Sequence, residues 1–122
     1  RELSNDDVQV NVTLIFSTAQ ALLAAKAGAT YVSPFVGRVF DQHWNGIHLI
    51  EEIADVFATH EIETEVLAAS IREPVQVTDC FRVGADICTL PLPIFYKLYK
   101  HILTDKGLEL FDQDWKSLQD KL

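Results

Sequence analysis

The chain has 122 residues, enough for one domain, and 48% of them are apolar, enough for a packed core. Its 10 basic and 18 acidic residues set a net charge of −8, which argues against sequence-independent binding to nucleic acid. No apolar run approaches the roughly 20 residues that cross a bilayer, and no basic-then-apolar leader is present, so the expected setting is the cytoplasm, away from membranes. The chain contains no Met and opens on Arg1, which reads as a piece of a longer polypeptide.

Residues 8–16 are rich in β-branched and aromatic side chains and read as a buried strand. Alternation puts Val10, Val12, Leu14 and Phe16 on one apolar face and Gln9, Asn11 and Thr13 on the other. Such a strand suits a barrel covered outside by helices and open inside to a ligand. Ser17 is placed to cap a helix, Gln20 completes a capping box, and Gly28 closes the helix. Residues 30–36 form a second predicted strand, with Tyr31, Ser33 and Phe35 on one face. A loop through Asp41, His43, Trp44, Asn45 and Gly46 leads to a helix over 47–60, where Ile50, Ile53, Ala54 and Phe57 recur at helical spacing.

Residues 63–69 read as the third strand, followed by a helix with Pro74 at its start and Gly84 at its end. A short fourth strand over 86–90 precedes a helix over 94–101. Thr104 is then expected to cap a terminal helix over 104–122, with Leu108, Phe111, Trp115 and Leu118 on one stripe. Cys80 and Cys88 fall on different predicted elements without metal-ligand spacing, so both are expected to be buried free thiols. Asn11-Val12-Thr13 has the form of a glycosylation sequon, but its place on a buried strand makes the match fortuitous.

The predicted fold is therefore α/β: parallel (βα) units, four in a row, forming half of a TIM (β/α)8 barrel plus a C-terminal helix, with residues 1–122 as a single partial domain. A flavodoxin-like open sheet is the alternative, although it ordinarily has five strands and two covered faces. Four parallel strands alone would leave two long unpaired edges, so further strands are expected from the same polypeptide or from a second chain.

Polar groups gather towards the ends of these strands, where parallel α/β proteins hold their ligands. They lie in Asn11-Val12-Thr13, Ser33-Pro34-Phe35-Val36-Gly37-Arg38 and Ala68-Ala69-Ser70-Ile71-Arg72. Two arginines can grip a phosphate dianion, and hydroxyl and amide groups can bond sugar hydroxyls without adding charge. The competing reading for each arginine is an ion pair with a nearby acid such as Asp41 or Glu73. For Thr13 it is a strand residue satisfied by a neighbour.

These motifs carry a resemblance. Residues 11–17 (Asn-Val-Thr-Leu-Ile-Phe-Ser), Ala27-Gly28-Ala29, and the Ser33–Arg38 and Ala68–Arg72 segments resemble the C-terminal half of the transaldolases. The similarity is greatest to the small subfamily that includes fructose-6-phosphate aldolases, whose C-terminal segment Leu103-Thr104-Asp105-Lys106-Gly107-Leu108 and Asp114-Trp115 resemble. The resemblance implies a class I aldolase barrel, needing neither metal nor organic cofactor, of which this chain holds strands five to eight. A Lys on the fourth strand forms a Schiff base with a ketose phosphate. The C3–C4 bond breaks, and the bound dihydroxyacetone unit passes to an aldose phosphate. The substrates implied are fructose 6-phosphate, sedoheptulose 7-phosphate, erythrose 4-phosphate and glyceraldehyde 3-phosphate, in the pentose phosphate pathway.

By the same resemblance Thr13 positions the water used in proton transfer, Asn11 and Ser33 contact substrate hydroxyls, and Arg38, Ser70 and Arg72 form the phosphate site. Phe35 matches the transaldolases, whereas the fructose-6-phosphate aldolases carry Tyr there; a Tyr hydroxyl can help release free dihydroxyacetone and Phe cannot. The family's Schiff-base Lys, together with a first-strand Asp and a third-strand Glu, would precede Arg1. Lys26, Lys97, Lys100, Lys106, Lys116 and Lys121 all fall outside the predicted strands and read as solvated. His43, His48, His60 and His101 read as surface or loop residues. The isolated segment is accordingly expected to be inactive.

Two alternatives to transaldolase remain from the residues: a non-catalytic phosphosugar-binding half-barrel closed by self-association, or a fructose-6-phosphate aldolase. Small transaldolases form homo-oligomers, decamers of two five-membered rings, with the terminal helix reaching towards a neighbour. The apolar terminal stripe fits that docking or packing on its own barrel.

Overall fold

Parallel strands can be joined only by long crossovers, and helices fill those crossovers throughout this chain. In the computed structural model, which describes residues 1–121, β1 (Asn11–Ile15), β2 (Tyr31–Pro34), β3 (Glu65–Ala68) and β4 (Ile87–Cys88) pair in parallel in the order β1-β2-β3-β4. The helices are α1 (Glu2–Asn5), α2 (Thr18–Lys26), α3 (Val36–Asp41), α4 (Gly46–Thr59), α5 (Pro74–Arg82), α6 (Leu92–Lys97) and α7 (Ile102–Asp120). α2 packs beside α4 and α4 beside α5, so these crossovers form one layer over one face of the sheet. A doubly wound sheet would divide them between two faces; this is the architecture of half a (β/α)8 barrel.

Strand register separates the two faces. Val12, Val32 and Val66 are neighbours across β1, β2 and β3, and Val32 and Val66 are buried in the core with Leu49, Ile50, Ile53 and Phe57 of α4. The alternate row, Asn11, Tyr31 and Glu65, points to the side without helices. Each crossover helix starts where its local sequence dictates. The Ser17 hydroxyl accepts from the Gln20 N–H at 3.2 Å, while the Gln20 side chain accepts from the Phe16 N–H at 2.8 Å. Asn45 Oδ1 accepts from the His48 N–H at 3.1 Å and caps α4, and Pro74 occupies the first turn of α5.

Several expectations need correction. The single apolar face of Val10, Val12, Leu14 and Phe16 does not exist beyond Val12. Pairing with β2 slips between Val12 and Ile15, and Leu14 takes a left-handed φ of 57°. This bulge turns Ile15 inward, at 3% exposure, and leaves Leu14 at 49%. The second strand ends at Pro34 rather than 36, because Val36 and Gly37 turn their N–H groups to the carbonyls of Ala69 and Ser70 and open α3. The fourth strand is only Ile87–Cys88, and α6 ends at Lys97. α1 has no counterpart in the predicted elements; the Ser4 hydroxyl ties it to the Gly28 carbonyl at 2.6 Å.

At the C-terminus the cap is His101, whose Nδ1 accepts from the Leu103 N–H at 3.1 Å, and Thr104 lies inside the first turn of α7. No residue of α7 is buried, and Leu108, Phe111, Trp115 and Leu118 are all more than half exposed. The stripe therefore does not pack on its own half-barrel.

Ile53 is fully buried at the centre of the helix–sheet layer. Ile53→Ala is expected to lower unfolding stability by about 2–5 kcal/mol, through lost burial and the cavity left behind. Urea denaturation followed by far-UV circular dichroism checks this.

Candidate functional site

On the helix-free face, the Ser33 hydroxyl of β2 donates to Asn11 Oδ1 of β1 at 2.7 Å. Ser33 is 2% exposed, so this bond satisfies a buried hydroxyl and also fixes the Asn11 amide. With its oxygen occupied, Asn11 keeps its NH2 group for an external acceptor. Thr13, two residues on, is exposed and lies within the register slip of β1. These three side chains lie along the strands rather than at their ends.

A second group lies just beyond the ends of β2 and β3. The Val36 and Gly37 N–H groups donate to the Ala69 and Ser70 carbonyls, each at 2.9 Å. These bonds carry the sheet ladder past the strand ends and draw the start of α3 onto the loop after β3. Gly37 is the residue that sequence reasoning missed as a position of its own. A Cβ there would stand 2.0 Å from the Ser70 carbonyl oxygen and 2.9 Å from Arg72 Nε. The signal was present as a glycine between Val36 and Arg38, but its meaning depends on a segment more than 30 residues away. Ser70 itself is held at a left-handed φ of 58°, a strained conformation for a residue other than glycine.

This contact brings Arg38, on α3, and Arg72, after β3, to one cavity of about 280 Å³, lined also by Phe16, Asp41, Gln42 and Trp44. Arg38 places its guanidinium 5.3 Å from the centre of the Phe35 ring, and Phe35 meets Phe16 edge to face at 6.0 Å. Arg72 Nη1 donates to Asp41 Oδ1 at 2.6 Å, with both side chains about half exposed. The ion-pair reading weighed for the arginines thus holds for Arg72. Its main-chain N–H is bound as well, by Gln76 Oε1 at 2.9 Å.

The structure brings Arg38 and Arg72 to one cavity and Asn11 to Ser33. Thr13 lies two residues from Asn11 along β1 and is not drawn into either group, and Ser70 contributes its carbonyl to the Gly37 contact. A larger cavity, about 540 Å³, opens at the N-terminal ends of β3 and β4, but its charged lining is Asp55, Glu61, Glu63, Glu65 and Asp86. That lining would repel a phosphate. Among the described residues, no three His, Cys, Asp or Glu side chains converge as metal ligands would, and no helix is long and apolar enough to cross a membrane.

Parallel βα units with their helices on one face of the sheet and polar side chains on the other form one half of a TIM-type barrel. The chain belongs to the transaldolase/fructose-6-phosphate aldolase family: the family profile described as "Transaldolase/Fructose-6-phosphate aldolase" matches residues 1–122. Proteins named "Probable transaldolase" from Clostridioides difficile and Clostridium kluyveri are 53% and 54% identical to it, over 98% of this chain but 56% and 55% of their own lengths. One from Aquifex aeolicus is 51% identical over 98% of this chain. The chain spans about half the length of the curated relatives it matches. Among solved structures, a flavocytochrome b2 double mutant aligns with a TM-score of 0.59 and 20% identity, over 73% of this chain and 24% of that one. A mandelate oxidase aligns with a TM-score of 0.54 and 25% identity, over 69% and 26%. These alignments show a shared fold over the aligned segments.

Gly37→Ala is expected to lower stability by about 1–3 kcal/mol, because the added methyl group meets backbone rather than a yielding side chain. Gly107→Ala, with nothing within 4 Å of the added atom, is expected to be neutral or to raise stability by up to about 1 kcal/mol through helix propensity. Chemical denaturation of the two variants side by side makes the comparison.

Proposed function

We propose that this chain is the substrate-holding half of a transaldolase, which moves a dihydroxyacetone unit from a ketose phosphate to an aldose phosphate through a Lys Schiff base. The observation that carries the reading is the cavity shared by Arg38 and Arg72 in a chain of net charge −8 whose family is established. In a strongly acidic protein, two cations at one mouth select a small anion without inviting nucleic acid. The Arg72 guanidinium fork bonds phosphate oxygens in place of Asp41, Arg38 adds the second charge, and the Ser70 hydroxyl completes the phosphate site. Asn11, oriented by Ser33, donates to sugar hydroxyls, and Thr13 holds the water that relays protons.

The nucleophile comes from outside residues 1–122. A Schiff-base Lys must be partly neutral near pH 7, which desolvation or a neighbouring cation produces. Lys26, Lys97, Lys100, Lys106, Lys116 and Lys121 are all exposed and off the strands, which supports this division of labour. Condensation with that Lys makes the C3–C4 bond labile without metal or organic cofactor. Phe35 packs against Phe16 and Arg38 and has no proton to deliver. The bound enamine therefore waits for an aldehyde acceptor, which favours transfer over simple aldol cleavage. The substrates on this reading are fructose 6-phosphate and sedoheptulose 7-phosphate as donors, and erythrose 4-phosphate and glyceraldehyde 3-phosphate as acceptors, in the cytoplasmic pentose phosphate pathway. The exposed stripe of α7 supports assembly into a ring-built homo-oligomer, a decamer, in which it docks on a neighbour.

Borohydride trapping with fructose 6-phosphate, read by intact mass, tests the reading. The 122-residue chain alone is expected to give no adduct, and the completed barrel to give one on a Lys outside these residues. An adduct on any of the six lysines named above overturns the assignment. In the completed barrel, Arg38→Ala and Arg72→Ala are each expected to raise KM for phosphorylated substrates about 10-fold or more, the equivalent of one lost charge-assisted bond, and to leave unphosphorylated glyceraldehyde little affected. Phe35→Tyr is expected to release more free dihydroxyacetone, measured with an enzyme-coupled assay.

A further inference from the structure

Of the side chains that line the cavity shared by Arg38 and Arg72, Asp41 is the acidic one. An acid is out of place at a mouth read as a phosphate site, since it repels the anion that the arginines attract. The path of the Arg72 side chain gives that acid a task. Arg72 is anchored at its base, where its N–H donates to Gln76 Oε1 at 2.9 Å. Its stem then crosses the first turn of α3 at Gly37, where a Cβ would stand 3.0 Å from Arg72 Cγ and 2.9 Å from its Nε. Asp41 lies four residues beyond Gly37, one turn along the same face of α3. The side chain ends there, with Nη1 donating to Asp41 Oδ1 at 2.6 Å. The bare backbone of Gly37 is thus a track for the arginine, and Asp41 is its stop.

This arrangement is independent of the outer edges of the sheet. β2 pairs with β1 and β3, and β3 pairs with β2 and β4, so the strands that deliver α3 and the Arg72 loop are paired on both sides. The ion pair is also weak enough to be broken. Both side chains are about half exposed, and pairs of that kind shift an equilibrium by no more than about 5-fold. A bond of that strength holds a side chain in place, yet yields to a dianion within reach of both arginines.

We propose that Asp41 is a positioning residue that acts through Arg72 as a tethered competitor of the substrate phosphate. It holds the guanidinium at the cavity between ligands, gives it up to each entering phosphate and reclaims it as each one leaves. This role rests on the transaldolase reading, in which donor, product and acceptor bring phosphates to one mouth in succession. As a phosphate departs, the carboxylate takes its place on the guanidinium, so release does not leave a bare cation. Only molecules in which Arg72 is free of Asp41 engage phosphate fully, and apparent affinity falls by that fraction. Such competition weakens ground state and transition state alike, so it acts on KM.

The test uses the completed barrel with Asp41→Asn, which removes the charge and keeps the shape, and Asp41→Glu, which keeps the charge. Asp41→Asn is expected to lower KM for erythrose 4-phosphate and Kd for inorganic phosphate by about 2- to 5-fold, the reach of one exposed ion pair. Asp41→Glu is expected to show no such gain, and neither is Asp41→Asn with unphosphorylated glyceraldehyde as acceptor. In an Arg72→Ala background the gain from Asp41→Asn is expected to vanish, because the carboxylate acts through that arginine. A KM and Kd that stay the same or rise in Asp41→Asn overturn the role. So does a gain of equal size without Arg72, which is bulk charge alone. Failure of the site itself reads differently: Arg38→Ala and Arg72→Ala then leave KM for phosphorylated substrates unaltered, and both readings fall. Urea unfolding of each variant separates a changed site from a damaged fold.

Discussion

Between the sheet and its candidate site stands one backbone contact, the bond from the Gly37 N–H to the Ser70 carbonyl. The β2–β3 ladder would otherwise stop at the strand ends, because α3 begins at Val36 and the chain after Ala68 leaves the sheet. By extending pairing two residues further, the chain brings a helix carrying Arg38 against a loop carrying Arg72. Each guanidinium would be a solvated surface cation in isolation. The approach requires a residue without a side chain, and the left-handed backbone at Ser70 is its counterpart on the other strand.

Much of the scaffold was legible locally. The Ser17–Gln20 capping box, the α4 stripe of Ile50, Ile53 and Phe57, and Pro74 at the start of α5 all appear where short-range rules place them. The errors arose where the backbone departs from what side chains advertise. Leu14 is an ordinary strand residue by propensity, and nothing in its neighbours announces the bulge that turns it outward. Val36 is β-branched and reads as strand, yet bonds to the Ala69 and Ser70 carbonyls recruit this segment into α3. His101 displaced Thr104 as a cap because a ring nitrogen can accept as well as a hydroxyl can.

For the site, residue types were readable and pairings were not. Ser33 and Asn11 lie 22 residues apart and Arg72 and Asp41 lie 31 apart, so each bond depends on strand register. At Arg72 the structure shows the ion pair with Asp41. A carboxylate at 2.6 Å holds the guanidinium at the cavity it shares with Arg38. At about half exposure such a pair is worth little to folding, so the proposed exchange of Asp41 for phosphate would disturb the scaffold little.

The exposed helix at the end of the chain has an energetic consequence of its own. α7 has 19 residues, carries Gly107 in its interior, and buries none of its side chains in the half-barrel. A helix of that length and composition, left to water, sits near the midpoint of the helix–coil equilibrium, since most helical stability in proteins comes from packing an apolar face. Any surface that covers the stripe, whether from the same polypeptide or from a partner, shifts the tail towards helix. The helicity of residues 102–120 becomes a readout of whether that stripe is covered rather than a property of the half-barrel alone.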